Sequence, residues 1–428
     1  MLLAGIDLVE VGRIKKSMEN PRFLSRVLGR TEYSQLKMRG FSAQSVAASF
    51  SAKEAFSKAL GTGLRGFALD EVELLRDSNG KPELKLSGSA LKIAQQRRLH
   101  FSVSVTHTKE YAAAIVIGEE AEQSNMLNYE HEIRNKTSIE VTQLSDVKSM
   151  MKPRNPESNK GDYGRLLSLC GSDGMAGAAV LSARAAIRCG AGIVNVALPR
   201  SIYSIVASQV VEPIFTLLDY SQNGELSPIS KSVLLKALTN ASACLVGCGL
   251  GKSSITSKIV YDMLSNSEIP LIIDADGINI IAENINILKT VRVPIVLTPH
   301  PGEMARLLST TVKDVQSHRL EYAKKFAVEN NVILVLKGAG TIIAQPNGLM
   351  HLNVTGNAGM AKAGSGDVLA GMIASFIAQG VEPAKAAVGA VYLHGAAGDR
   401  CAKELSECAM LPTDLINMLP RLFLEIER

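Results

Sequence analysis

Two sets of residues have the types and spacing for chemistry on phosphates. In the longer part of the chain, Thr355 to Gly371 reads TGNAGMAKAGSGDVLAG, and Gly364, Ser365 and Gly366 stand directly before Asp367. A glycine turn that opens a helix presents unpaired NH groups to an anion, and lets a ligand approach the backbone closely. A carboxylate there would repel a phosphate. Asp367 therefore makes sense as a base beside a reacting hydroxyl or as a group near a cation, the plain alternative being a cap on a Gly-rich loop. No GK[ST] follows, so this is not a Walker A loop. Near the start, Asp7 lies inside the apolar run LLAGIDLVEV, while Glu54 and Lys58 share FSAKEAFSKALGTG. A carboxylate in an apolar strand needs a partner or a cation. Asp7 and Glu54 suit Mg²⁺, which keeps waters and substrate phosphates as its other ligands. Glu54 and Lys58 are also spaced for an ordinary helix salt bridge.

These residues need elements to hold them. From Leu166 onward short apolar runs alternate with helical patterns: LLSLCGS, IVNVALP, CLVGCGLG, LIIDADG, VPIVLTPHPGE and VILVLKGAG each put a strand before a polar loop. Such alternation predicts a mostly parallel sheet covered by helices on both faces, an α/β fold whose ligands sit beyond the carboxyl ends of the strands. The loops carry Lys160, Asp274, Asp276, His300, Glu303, Lys337 and Gly338, and they are expected to converge on one site with GSGD. Asp276 has a structural alternative as a turn cap. Neither GCGLGKSS nor GSDGMAGAA has the dinucleotide fingerprint. On these residues alone the expectation is a nucleotide-dependent small-molecule enzyme, such as a sugar or vitamin kinase of ribokinase type. The first 118 residues read as a small α+β domain: a strand, helical stretches broken at Asn20-Pro21, a helix over Phe50 to Leu60, strands near 67–75 and 83–86, a short helix, and a closing hairpin. Residues 119–136 are expected to be a linker and 137–428 the second domain, with IEVTQLSDVKSMM read as a short helix.

Composition sets the context. The chain has 428 residues, 46% hydrophobic and 20% charged, enough for two or three domains with real cores. Residues 1–118 hold 18 Lys/Arg against 11 Asp/Glu, while the remainder is slightly acidic. Eight basic residues, Arg13, Lys15, Lys16, Arg22, Arg26, Arg30, Lys37 and Arg39, face only Glu19 and Glu32 between positions 13 and 39. That field suits an acidic partner, and without interleaved aromatics it does not favour nucleic acid. The six cysteines form no CxxC, which predicts buried thiols in a reducing, cytoplasmic setting. The start meets Asp7 and has no long apolar core, so neither a signal peptide nor a membrane span is expected.

GIDLVEVGRI, FSAKEAFSKALGTG and SVSVTHTKEYAAA resemble, in order and spacing, the holo-acyl-carrier-protein synthases, small phosphopantetheinyl transferases. The resemblance implies that Asp7 and Glu54 hold Mg²⁺ against the diphosphate of coenzyme A. Lys58, Gly61 and Gly63 would lie by the CoA phosphates with His107 nearby, and the region of Arg13, Arg22 and Arg26 would receive an acyl carrier protein. It also implies a trimer. The serine proton would go to His107 or to a water near Asp7 or Glu54. Thr106 stands where many members have Ser. The alternative is a basic carrier-protein-binding module without catalysis.

Residues 137 to 425 resemble the ADP-dependent NAD(P)H-hydrate dehydratases, a family of the ribokinase-like fold, through NKGDYGR, GSDGMAGAAVLSARAAIRCGAG, GCGLG, DADGIN, LTPHPGEMARL, LKGAGTII and TGNAGMAKAGSGDVLAGMI. The family uses ADP or ATP to activate the hydroxyl of hydrated NADH or NADPH, which is then eliminated. The resemblance implies that Asp367 is the general base and that Gly364, Ser365 and Gly366 stabilise the phosphate charge. Lys337 and Gly338 would bind nucleotide, and Lys160 nucleotide or cofactor phosphates. Gly192, His300, Glu303 and Asn357 would border the hydrate. Departures are Cys248, Ala358, Lys362 and Ala363, where members often have Pro, Pro, Thr and Gly. Lys362 would add a cation beside the phosphate loop. Related bacterial proteins often carry an epimerase domain ahead of this one, and here the synthase-like domain stands in that place.

Overall fold

The computed structural model describes residues 2–61, 63, 66–77, 80–97, 99–120, 139–151, 154–221 and 225–427. Two compact units divide the chain, Met1–Ser124 and Asn125–Arg428. Most of the expected linker, residues 121–136, lies outside the described residues.

In the first unit β1 (Leu2–Glu10) runs into three short helices, α1 (Val11–Ser17), α2 (Pro21–Val27) and α3 (Arg30–Met38). Asn20 ends the first stretch and caps the second: its side chain accepts from the NH of Arg22, with Pro21 at the first helical position. The long helix α4 spans Ala43–Leu60 and begins earlier than its apolar core predicts, because Ser42 caps it. Then come β2 (Val72–Arg76), β3 (Pro82–Leu86), α5 (Gly88–Gln96), β4 (Leu99–His107) and β5 (Tyr111–Glu120). The strand expected from Phe67 begins only at Val72, since Leu69–Glu71 turn as a 3-10 helix. One antiparallel sheet has the order β1-β5-β4, and β2 pairs with β3. The Lys53 ammonium, fully buried, binds Glu32 Oε2 at 2.7 Å and the Val72 carbonyl, tying α4 to α3 and β2. Breaking a buried pair of this kind costs about 3–5 kcal/mol.

The second unit is an α/β sheet of ten strands. These are β6 (Ile139–Val141), β7 (Arg165–Leu169), β8 (Ile193–Pro199), β9 (Ile214–Leu218), β10 (Ala243–Val246), β11 (Leu271–Ile273), β12 (Ile295–Leu297), β13 (Ile333–Leu336), β14 (Thr341–Ala344) and β15 (Met350–Asn353). Their order is β6-β15-β14-β13-β12-β11-β10-β7-β8-β9. The run from β9 to β13 is wholly parallel, whereas β14 and β15 are antiparallel additions. Ile139–Val141, expected within a helix, is instead the edge strand beside β15, and the helix follows at Leu144–Met150. The central strands are buried along their length and packed on both faces. One face meets the helices Ala176–Arg188, Ser365–Ala378, Pro383–Leu405 and Pro412–Glu427, the other those at Ser254–Asn266, Asp276–Glu283, Pro301–Leu307 and Arg319–Asn330. Five cysteines are buried free thiols and Cys408 is exposed. Among the described residues no helix is long and apolar enough to cross a membrane.

Candidate active sites of the two units

In the larger unit the polar groups gather where the parallel strands end. Asp274 directly follows β11, Thr298 follows β12 and Lys337 follows β13. Asp274 is 1% exposed, yet its Oδ1 is held by the Lys337 ammonium at 2.7 Å and the Thr298 hydroxyl at 2.6 Å. Burial alone would raise the Asp274 pKa. The Lys337 charge and these hydrogen bonds overcome it and hold the group below the usual carboxylate range. Burial likewise opposes the Lys337 charge, and Asp274 and then Glu303 reverse that, raising its pKa. The pair is held ionised, a fixed dipole at the carboxyl ends of the strands. Ala275, between the two aspartates of DADG, has φ 50° and ψ −115°, a conformation that costs an L-residue about 1–3 kcal/mol. The surrounding loop holds that turn: Asp276 Oδ2 accepts from the NH of Gly251 at 2.9 Å, a bond to a distant loop and not the cap of its own following turn.

The helix Ser365–Ala378 opens at the same edge. Gly364 sits ahead of it with φ 96°, and a side chain there would also strike Leu181. A Cβ on Gly366 would lie 3.2 Å from Lys337 Nζ, so the helix start and the ammonium share one space. Asp367, in the first turn, has its pKa raised to about 6, by burial first and then by the Asp274 charge. The carboxylate is therefore a proton acceptor matched to neutral pH. Ser365 is buried, with its hydroxyl 3.3 Å from His394 Nε2. Burial drops the His394 pKa to about 4, which keeps that ring neutral.

His300 and Glu303 form the reciprocal cap of the Pro301–Leu307 helix. His300 Nδ1 accepts from the NH groups of Gly302 and Glu303, while Glu303 Oε2 accepts from the NH of His300 at 2.7 Å. Those donors leave the ring proton on Nε2, 3.4 Å from Glu303 Oε1. Burial, ahead of the opposing Lys337 charge, raises the Glu303 pKa to about 7. Lys337 Nζ lies 3.9 Å from Glu303, closing the group.

Other expected members lie differently. Lys160 and Gly192 sit at the amino ends of β7 and β8: a Cβ on Gly192 would overlap the Lys160 carbonyl oxygen, and one on Gly164 the carbonyl oxygen of Ala378. Ala378 ends the helix that Ser365 begins, and its 14 residues span about 20 Å. The Lys160–Gly164 loop and Gly192 thus lie away from Asp367. The convergence read from the sequence fails there: Lys160 and Gly192 precede their strands, so chain direction puts them at the amino ends, opposite the loops that follow β11, β12 and β13. Asn357 lies near the loop, but its amide already accepts from the NH of Gly359 and donates to Asp399. Lys362 does not face the phosphate loop: its ammonium binds the carbonyls of Cys408 and Met410 at 2.7 and 2.5 Å. Gly338 turns with φ 142° beside Arg319, a residue the motifs did not single out. Arg319, 7% exposed, donates to the carbonyls of Leu336, Lys337 and Gly340 and so braces the loop bearing Lys337. An arginine on a helix gives no local sign of this task.

In the smaller unit the β1-β5-β4 register puts Asp7, Val9 and His107 on one sheet face. That face carries α4: a Cβ on Gly5 would come within 2.0 Å of the Ala55 carbonyl oxygen, so glycine is what allows strand and helix to touch. Ser51 donates to the Asp7 carbonyl, and Lys58 Nζ lies 2.7 Å from Asp7 Oδ1. Lys58 pairs across to the strand and not with Glu54, although its charge still reaches that residue. Burial and then the Asp7 charge raise the Glu54 pKa, with Lys58 and Arg13 opposing. Among the described residues Asp7 Oδ2 is buried and has no hydrogen-bond partner. An orphaned carboxylate oxygen beside a second carboxylate fits a hard cation such as Mg²⁺. His107 is exposed at the end of β4, and Gly61 ends α4 in the left-handed conformation. Gly63 follows with φ 59°. Arg13, Arg22 and Arg26 are all exposed on α1 and α2.

Known proteins match both units. Residues 166–421 match the model of the NAD(P)H-hydrate dehydratase family, and residues 4–116 that of the 4′-phosphopantetheinyl transferase superfamily. The chain is 42% identical over 280 residues to the bifunctional NAD(P)H-hydrate repair enzyme Nnr of Moorella thermoacetica, covering 65% of this chain and 53% of that protein. It thus spans about half the length of such longer relatives. It is 34% identical over 281 residues to the ADP-dependent (S)-NAD(P)H-hydrate dehydratase of Bacillus subtilis, covering 66% of this chain and 96% of that one. A crystal structure of the Bacillus subtilis ADP/ATP-dependent NAD(P)H-hydrate dehydratase, grown with ATP and Mg²⁺, aligns with a TM-score of 0.57 at 30% identity, covering 67% of this chain and 99% of that one. The chain belongs to the NAD(P)H-hydrate dehydratase family, and ahead of that region it carries a 4′-phosphopantetheinyl-transferase-like domain.

Proposed function

We propose that the larger unit restores hydrated NADH or NADPH at the expense of ADP or ATP. The observation that carries this reading is Asp367, a carboxylate with a pKa near 6 in the first turn of an anion-binding helix start, facing the Asp274–Lys337 pair. Asp367 takes the proton of the hydrate's hydroxyl, and the oxygen attacks the terminal phosphorus of the nucleotide. Backbone NH groups of Gly364 to Gly366 and the Lys337 ammonium stabilise the charge on the phosphoryl oxygens. The nucleotide leaves shortened by one phosphate; the C–O bond to the phosphorylated oxygen then breaks, releasing orthophosphate, and the adjacent ring carbon gives up a proton to solvent as the nicotinamide double bond re-forms. His300 and Glu303 border the hydrate, with Asn357 shaping the loop at its edge, and Gly338 lets the nucleotide approach the backbone. The experiment is product stoichiometry with hydrated NADH and ADP. One orthophosphate per cofactor restored supports the reading, whereas phosphate retained on a small-molecule acceptor identifies a kinase.

For the smaller unit we propose transfer of 4′-phosphopantetheine from CoA to a serine of an acyl carrier protein. The orphaned Asp7 oxygen beside Glu54 supports a catalytic site over a module for binding alone. Asp7 and Glu54 would hold Mg²⁺, which neutralises the CoA diphosphate when bound. Lys58 moves from Asp7 to the CoA phosphates, beside the turn at Gly61 and Gly63. The serine proton goes to His107 or to a water near the carboxylates, a choice that a His107→Ala variant decides. Exposed Arg13, Arg22 and Arg26 receive the acidic carrier. We further propose that this unit self-associates, as a trimer, through the outer face of its sheet, where Ile6 and Leu8 are 67% and 64% exposed and Ile115 lies opposite Ile6. Weighing an apo-carrier protein after incubation with the full chain, CoA and Mg²⁺ tests the transfer, and an unchanged mass at saturation refutes it.

A further inference from the structure

Behind Asp367 lies a group of donors that the reaction does not use together. Cys248 Sγ and a carboxylate oxygen from each of Asp274 and Asp367 all lie within 4.8 Å of one another. Cys248 is fully buried, just past the carboxyl end of β10, and its Sγ is 3.7 Å from Asp274 Oδ2. A tetrahedral zinc ion, with bonds of about 2.3 Å to sulfur and about 2.0 Å to oxygen, sets the S···O edge at about 3.5 Å. The spacing is already that of adjacent ligands. Lys337 and Thr298 hold Oδ1 of Asp274, so Oδ2 is the oxygen that meets the thiol.

We propose that Cys248, Asp274 and Asp367 form a site for a thiophilic divalent cation of the zinc type, and that filling it shuts off the larger active site. Binding releases the Cys248 proton and any proton on Asp367. The two positive charges then meet one thiolate and two carboxylates, where the apo site has two carboxylates facing a single ammonium. Mg²⁺ is a poor competitor, since it prefers oxygen ligands and retains its waters, whereas the thiolate selects a softer ion. An Asp367 carboxylate that ligates metal cannot accept a proton. The inhibition, though not the binding, rests on the reading of Asp367 as the base.

Cobalt(II) titration of the full chain tests binding directly, in a Cys408→Ser background that removes the exposed thiol. The expected result is a thiolate-to-cobalt charge-transfer band saturating at one equivalent, bleached by zinc and missing from Cys248→Ala. In parallel, zinc inhibits cofactor restoration at fixed excess Mg²⁺, a chelator reverses this, and Cys248→Ala raises the half-inhibiting concentration by about 100-fold or more, each variant being compared with its own zinc-free rate. Cys248→Ser, nearly isosteric, serves if the alanine variant does not fold. No thiolate band in the parent chain, or the same band without Cys248, overturns the site. A band with no inhibition overturns the shut-off and points back to the role of Asp367.

Discussion

Replacing Asp367 by Asn separates catalysis from stability, and the structure supplies both magnitudes. Asn keeps the shape at the helix start and removes the base, so restoration of NADH falls by about 100-fold or more while ADP still binds. The parent rate should rise with pH through about 6, where the carboxylate ionises. Stability moves in the opposite sense. An ordinary Asp titrates near 3.8 and Asp367 near 6, so the ionised group is disfavoured in the fold. Below 3.8 the proton is bound in folded and unfolded states alike and no difference arises. The penalty grows between those values and above pH 6 is full, about 3 kcal/mol. Asn never carries it. The unit Asn125–Arg428 should unfold with an entropy of about 0.6 kcal/mol/K, so its calorimetric transition in the variant should lie about 5 °C higher at pH 8 and converge with the parent near pH 4. Equal transitions at pH 8, or undiminished turnover, would refute the argument from the buried carboxylate.

Lys337→Met leaves Asp274 buried without its counter-charge and should cost the larger unit about 3 kcal/mol at pH 8 by calorimetry; a loss below about 1 kcal/mol would show that the pair is solvated. Asp7→Asn should lower phosphopantetheine transfer by about 100-fold or more, read by the mass of the carrier protein, while NADH restoration by the same preparation is unchanged. Ile6→Glu introduces charge on the outer face of the smaller unit's sheet, and light scattering should then report a smaller assembly than the parent. The same mass for both would remove that face from the interface.

The fold class and the larger site's centre were readable because both depend on local pattern. Apolar runs ending in DADG, TPHPGE and LKGAG imply parallel strands with polar carboxyl ends, and there Asp274, Glu303, Lys337 and Asp367 do meet. What escaped depends on contacts between distant residues. Lys160 and Gly192 were grouped with the site through their motifs although each precedes its strand, and chain direction keeps them at the amino ends, away from Asp367. Lys362 was read as a charge beside phosphate because its neighbours in sequence are glycines, but carbonyls from the turn at Cys408 hold it. Arg319 bracing the Lys337 loop and Cys248 touching Asp274 follow from packing alone. In the smaller unit the spacing of Glu54 and Lys58 suggested a helix pair, whereas Gly5 brings β1 close enough for Asp7 to take the lysine.

The central claim is tested most directly by the near-ultraviolet absorbance of NADH, followed after the full chain is mixed with hydrated NADH in the presence and absence of ADP or ATP. The account predicts recovery of the absorbance only when nucleotide is present, and its loss in Asp367→Asn. No recovery with either nucleotide, or equal recovery without one, would contradict it.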